Sequence, residues 1–86
     1  MELTVDAAGI SPERATAPAF LALELVVRND SRREQIVFVA GPEPRRAVSV
    51  GAGETGRVSI AGLRPGRYRI EGGPGGRATL FVRREP

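Results

Sequence analysis

The stretch LRPGRYRIEGGPGGRATLFV, Leu63–Val82, alternates on both sides of a glycine-rich centre. In its first half Tyr68 and Ile70 share one face, and Arg67 and Arg69 the other. After GGPGG (Gly72–Gly76), Ala78, Leu80 and Val82 fall on one face, and Thr79, Phe81 and Arg83 on the other. A period of two is that of a half-buried β-strand. A Gly/Pro cluster between two such runs is turn chemistry. The stretch therefore reads as two strands joined by a loop, with an apolar inner face and an arginine-rich outer one.

The same period extends outward along the chain. Leu3 and Val5 pair on one face, as do Leu21, Leu23, Leu25 and Val27, then Val48 with Val50, and Val58 with Ile60. The run QIVFVA (Gln35–Ala40) is apolar on both faces, as in a strand covered on both sides. Turn clusters separate these runs at intervals of about 8–12 residues, the spacing of a sandwich or barrel. SPERATAPA has a Ser-Pro start, but Pro18 would end a helix within two turns, so it reads as extended. The expectation is an all-β, Greek-key β-sandwich of seven to eight strands, one domain over residues 1–86. Its core is expected from Leu23, Leu25, Val27, Phe38, Val58, Ile60, Tyr68, Ile70, Leu80 and Val82.

Composition narrows the functions available. The chain has 86 residues and no Cys, so no disulfide supplements a small core. All 13 basic residues are Arg, against ten acids, for a net charge of +3. The exclusive use of Arg fits a GC-rich coding bias, and it also supplies planar forks for carboxylate or phosphate. The acids are spread along the chain, so this charge does not indicate nucleic acid as a partner. The longest apolar run, Ala17–Val27, contains Glu24 and is far short of the roughly 20 residues needed to span a bilayer. The opening MELTVD is acidic and alternating, unlike a signal peptide, which leaves either a cytoplasmic protein or a mature exported domain.

The chemical motifs resolve into turns. GAGETG (Gly51–Gly56) has the spacing of a dinucleotide-binding loop, but the alternating strand RVSI follows it where a helix is required. GGPGG lacks the following Lys or Ser/Thr that would hold a phosphate. Asn29-Asp30-Ser31 is a formal glycosylation sequon that reads equally as an Asx turn at a strand end. With no His, Lys or Cys, the chain has neither a base that titrates near neutrality nor a thiol nucleophile. No catalytic residue is assigned and no enzyme is expected.

Three segments together resemble the cupredoxin fold. GISPERATAPA (Gly9–Ala19) is similar to the crossing from its first strand to its second. LELVVRND (Leu23–Asp30) resembles the strand ending in Asn ahead of the first copper histidine. VGAGETGRVSIAGLRPGRYRIEG (Val50–Gly72) resembles the turn, strand and hairpin that lead to the copper cysteine. The resemblance places the histidine position at Gln35 and the cysteine position at Gly72. Only six residues then separate Gly72 from Thr79 in the closing strand, and Met1 is the sole methionine. Blue copper needs two imidazoles and a thiolate, so neither copper nor any other cofactor is expected. The GL-x-PG-x-Y pattern of Gly62–Tyr68 also resembles transthyretin-like and other immunoglobulin-like sandwiches that serve as structural spacers of surface proteins.

The function this implies is a copper-free, non-enzymatic binding or assembly module, docking an unidentified protein partner or a second copy. The resemblance alone suggests export to the periplasm or beyond. A spacer domain is the alternative, and a metal chaperone using Glu34 and Glu71 is a third reading. Arg57, Arg67, Arg69, Phe81 and Arg83 share an outward parity. They would form one interaction face if their strands lie in one sheet.

Overall fold

The computed structural model describes residues 1–42, 45–72 and 75–84. Nine strands follow in order: β1 (Glu2–Asp6), β2 (Gly9–Ser11), β3 (Arg14–Pro18), β4 (Leu23–Asn29), β5 (Gln35–Ala40), β6 (Arg46–Val50), β7 (Thr55–Ile60), β8 (Gly66–Gly72) and β9 (Gly76–Arg83). They form two mixed sheets with orders β2-β1-β4-β7 and β3-β9-β8-β5-β6. The all-β expectation holds. The count exceeds the expected seven to eight because GISPERATAPA supplies two short strands. β2 pairs with β1 in one sheet and β3 runs parallel to β9 in the other.

The hairpin read first from the sequence forms as expected. β8 and β9 pair antiparallel from Gly66 opposite Val82 to Gly72 opposite Gly76. Tyr68, Ile70, Ala78, Leu80 and Val82 point inward and are buried, and Arg67, Arg69 and Arg83 are exposed. The centre of GGPGG, residues 73 and 74, and the turn residues 43 and 44 lie outside the described residues. Facing the hairpin from the four-stranded sheet are Leu3, Val5, Leu25, Val27 and Ile60. Full burial of such side chains stabilises by roughly 1.5–3 kcal/mol each. Tyr68 keeps its hydroxyl satisfied by donating to the Arg64 carbonyl at 2.8 Å.

Three expectations need correction. Phe38 is not a core residue: β5 turns Val37 and Val39 inward and Phe38 outward. A strand apolar on both faces gives no parity of its own, and pairing decides it. Val39 lies opposite inward Ile70, and Phe38 opposite outward Glu71. Leu21 precedes β4 and is 57% exposed. The third concerns Arg57. Its strand, β7, pairs with β4 and not with β8, so Arg57 lies on the four-stranded sheet. The connection from β7 to β8 crosses from one sheet to the other, which the alternation of the two strands could not show.

Candidate functional site

Two regions bear on function: the end of the sandwich where the resemblance expects a metal, and the outer face of the five-stranded sheet.

Gln35 opens β5 with the inward parity of Val37 and Val39, and Val37 lies opposite Gly72 on the neighbouring β8. The two positions given by the resemblance thus sit at the same end of adjacent strands. Gln35 Nε2 donates to Ser31 Oγ at 3.1 Å. Close by, Asn29 is completely buried. Its Nδ2 donates to the carbonyls of Arg33 (2.8 Å), Val50 (2.9 Å) and Gly51 (3.2 Å). Its Oδ1 accepts from the Ser31 amide at 2.9 Å and from Ser31 Oγ at 2.6 Å. The sequon is therefore an Asx turn whose side chain ties the β4–β5 loop to the β6–β7 turn. A buried amide needs such partners, because an unpaired polar group in the interior is costly.

Space at Gly72 is closed as well. A Cβ there would stand 2.9 Å from Val37 Cγ2, 3.2 Å from the Ile36 carbonyl oxygen and 3.3 Å from Val37 Cα. Opposite it, a Cβ on Gly76 would run into the Gly72 carbonyl oxygen and Ile10 Cγ1. Met1 is at the far end of the molecule. Its ammonium donates to the Glu24 carbonyl and its carbonyl accepts from Val26, at the opposite end of β4 from Asn29. A recess of about 710 Å³ beside Gln35 is lined by Ala7 and residues 30–35, with Asp30 and Glu34 set against Arg32 and Arg33. Among the described residues no three His, Cys, Asp or Glu side chains gather as a metal site. Glu34 is in the β4–β5 loop, whereas Glu71 points out from β8. These donors do not fit copper: amide and carboxylate oxygens are hard ligands, and both imidazole and thiolate are missing from the chain.

The outer face of the five-stranded sheet has a different character. β8 presents Arg67, Arg69 and Glu71; β9 presents Arg77, Thr79, Phe81 and Arg83; β3 presents Arg14 and Thr16. The register sets Thr16, Phe81 and Arg67 in one row and Arg14, Thr79 and Arg69 in the next. The Arg67 and Arg83 guanidinium carbons lie 5.6 and 6.0 Å from the Phe81 ring centre, and that of Arg45 lies 4.8 Å from Phe38. Cations over an aromatic face are attracted by its quadrupole. The result is a half-buried ring with arginines around it and one acid, Glu71, on the strands concerned. Among the described residues the ion pairs of Arg28 with Asp30 and of Arg57 with Glu24 both belong to the other sheet.

Of the five residues expected to share a face, Arg67, Arg69, Phe81 and Arg83 do so and Arg57 does not. Arg14, Arg77 and Arg45 join them on this face, beyond the five expected. Arg77 was legible from the parity of β9. Arg14 needed the parallel pairing of β3 with β9, which no local pattern announces.

No protein-family profile matches the chain, and no curated protein sequence matches it significantly. Solved structures do match. Dithionite-reduced auracyanin from Roseiflexus castenholzii aligns with a TM-score of 0.79 at 14% identity, covering 95% of this chain and 94% of that one. Auracyanin B gives a TM-score of 0.79 at 20% identity over 96% and 87%. A purple cupredoxin from Nitrosopumilus maritimus gives 0.67 at 11% identity over 95% and 98%. At these identities the likeness is one of fold, and the fold is that of the cupredoxins.

Proposed function

We propose that this chain is a non-enzymatic, copper-free module of cupredoxin fold that binds an acidic protein surface outside the cytoplasm. The observation that carries this reading is the arginine ring around Phe81 on the five-stranded sheet. Interface centres are enriched in aromatics and Arg, with a polar rim around them. A guanidinium resting on a ring keeps its N–H edge free for a bidentate carboxylate. The copper end supports the same reading from the other side, since its donor set suits no blue-copper centre. Export rests on the fold resemblance, and fractionation of the expressing cells tests it.

Immobilised parent protein and an Arg67→Glu/Arg69→Glu variant form the direct test. The variant is expected to keep its circular dichroism and melting temperature, because both positions are exposed. It should lose the proteins captured by the parent. That capture should weaken as salt rises, since exposed charges are screened beyond about 8 Å at physiological ionic strength. Equal capture by parent and variant would reduce the face to a solvated surface and leave a spacer role as the better account.

A further inference from the structure

The two outer faces of the sandwich carry opposite charge. On the five-stranded sheet Arg14, Arg67, Arg69, Arg77 and Arg83 point outward with Arg45 against Phe38, and Glu71 is the one acid on those strands' described outer positions. The four-stranded sheet presents Glu2, Asp6 and Glu24 on its strands with Asp30 at the end of β4. Its outward arginines are already engaged: Arg28 with Asp30 at 2.8 Å and Arg57 with Glu24 at 3.4 Å. Neutralising those pairs leaves Glu2 and Asp6 as the acids outside an ion pair among the described residues, with Asp6 Oδ1 accepting the Ala8 and Gly9 amides at 2.8 and 3.1 Å. Both members of each pair are exposed, Arg28 and Arg57 more so than Asp30 and Glu24, so the pairs add no net charge and the negative excess of this face is that of Glu2 and Asp6.

We infer that a second copy of this chain is a partner for the arginine face, docking head to tail through its four-stranded sheet. This rests on the arginine face being a docking surface, as proposed above. Two observations favour a second copy in that orientation. The charges of the two faces are complementary, which steers encounter and fixes orientation. The symmetric alternative sets one arginine ring against another, a like-charge juxtaposition that disfavours it. Because the two patches lie on opposite faces, the contact is heterologous. It leaves one unmatched face at each end and propagates into chains of copies rather than a closed dimer.

Sedimentation velocity at about 50 mM and about 500 mM salt tests this, with the Debye length falling severalfold between them. At low salt the parent is expected to show an average mass that rises with concentration past that of a dimer, and at high salt to fall towards one chain. Arg67→Glu/Arg69→Glu alone should stay at one chain, as should Glu2→Arg/Glu24→Arg. Mixing the two variants is the decisive arm. Each retains the face the other has lost, so the mixture should form a discrete one-to-one pair that grows no further. A parent that remains one chain at low salt and high concentration overturns the inference, as does a mixture that fails to pair. Fluorescently labelled poly-glutamate, titrated into the parent, separates the two readings. Binding of this probe alongside a non-associating parent removes only the second copy as partner. If the probe fails to bind as well, the docking face itself falls.

Discussion

Asn29 spends every hydrogen-bonding atom of its amide inside the protein, holding three carbonyls with Nδ2 and the Ser31 turn with Oδ1. Asn29→Ala should therefore strand buried carbonyls and cost on the order of 3 kcal/mol, read as a lower urea midpoint. Asn29→Asp should do no better, because it sets a carboxylate oxygen against the same carbonyls. A loss below about 0.5 kcal/mol in both variants would mean that water replaces the amide. Gly72 makes a different point about the same end. The φ at Gly72 does not require glycine; space does. Gly72→Cys should destabilise by about 1–3 kcal/mol through crowding against Val37 and the Ile36 carbonyl. Combined with Gln35→His, it should still give no intense thiolate-to-copper absorption when Cu(II) is added. A strong band at one equivalent of copper would show that β5 yields readily and that the absence of imidazole and thiolate alone keeps copper from this end.

At the scale of the strand, β5 separates what alternation can say from what pairing decides. Ile70→Ala on β8 removes a fully buried side chain and should cost about 2–5 kcal/mol, measured by denaturant unfolding. Phe38→Ala on β5 should cost clearly less than the roughly 3–5 kcal/mol typical of a buried Phe, since its ring lies outward beneath Arg45. Equal losses at both sites would contradict the parity of β5. The hairpin of β8 and β9 was fully legible because arginines mark one face of β8 and Phe81 and Thr79 are set apart on β9 by parity. QIVFVA offers no such contrast, and nothing in its own sequence sets Phe38 apart from the inward Val37 and Val39. The same limit separates Arg57 from the arginine face. Side-chain parity places a residue on a face of its own strand. Which sheet owns the strand follows from long-range pairing such as Leu25 opposite Val58. The end holding Gln35 and Gly72 was legible differently, as a short loop without imidazole or thiolate, but its steric closure at Gly72 and Gly76 emerges only with the register of three strands and Ile10.

For the molecule as a whole, the segment before β4 serves both sheets. β1 runs parallel to β4, while β3 runs parallel to β9, with the Thr79 amide donating to Glu13 at 2.8 Å and the Ala19 amide to Arg83 at 2.7 Å. A segment tied to both sheets in this way should open only when the whole core opens. Hydrogen exchange is expected to show the amides of Ala17 and Val82 responding to denaturant with the slope of global unfolding. Earlier exchange in β3 alone would mark it as an independently fraying strip. The parallel pairing of Arg14 through Pro18 with Thr79 through Arg83 also has a consequence in time. During synthesis, residues 14–18 leave the ribosome long before their partners exist, and nothing nearer in sequence can take that place in the sheet. The backbone of that strand is left to water until β9 emerges, so the five-stranded sheet is completed only late in synthesis.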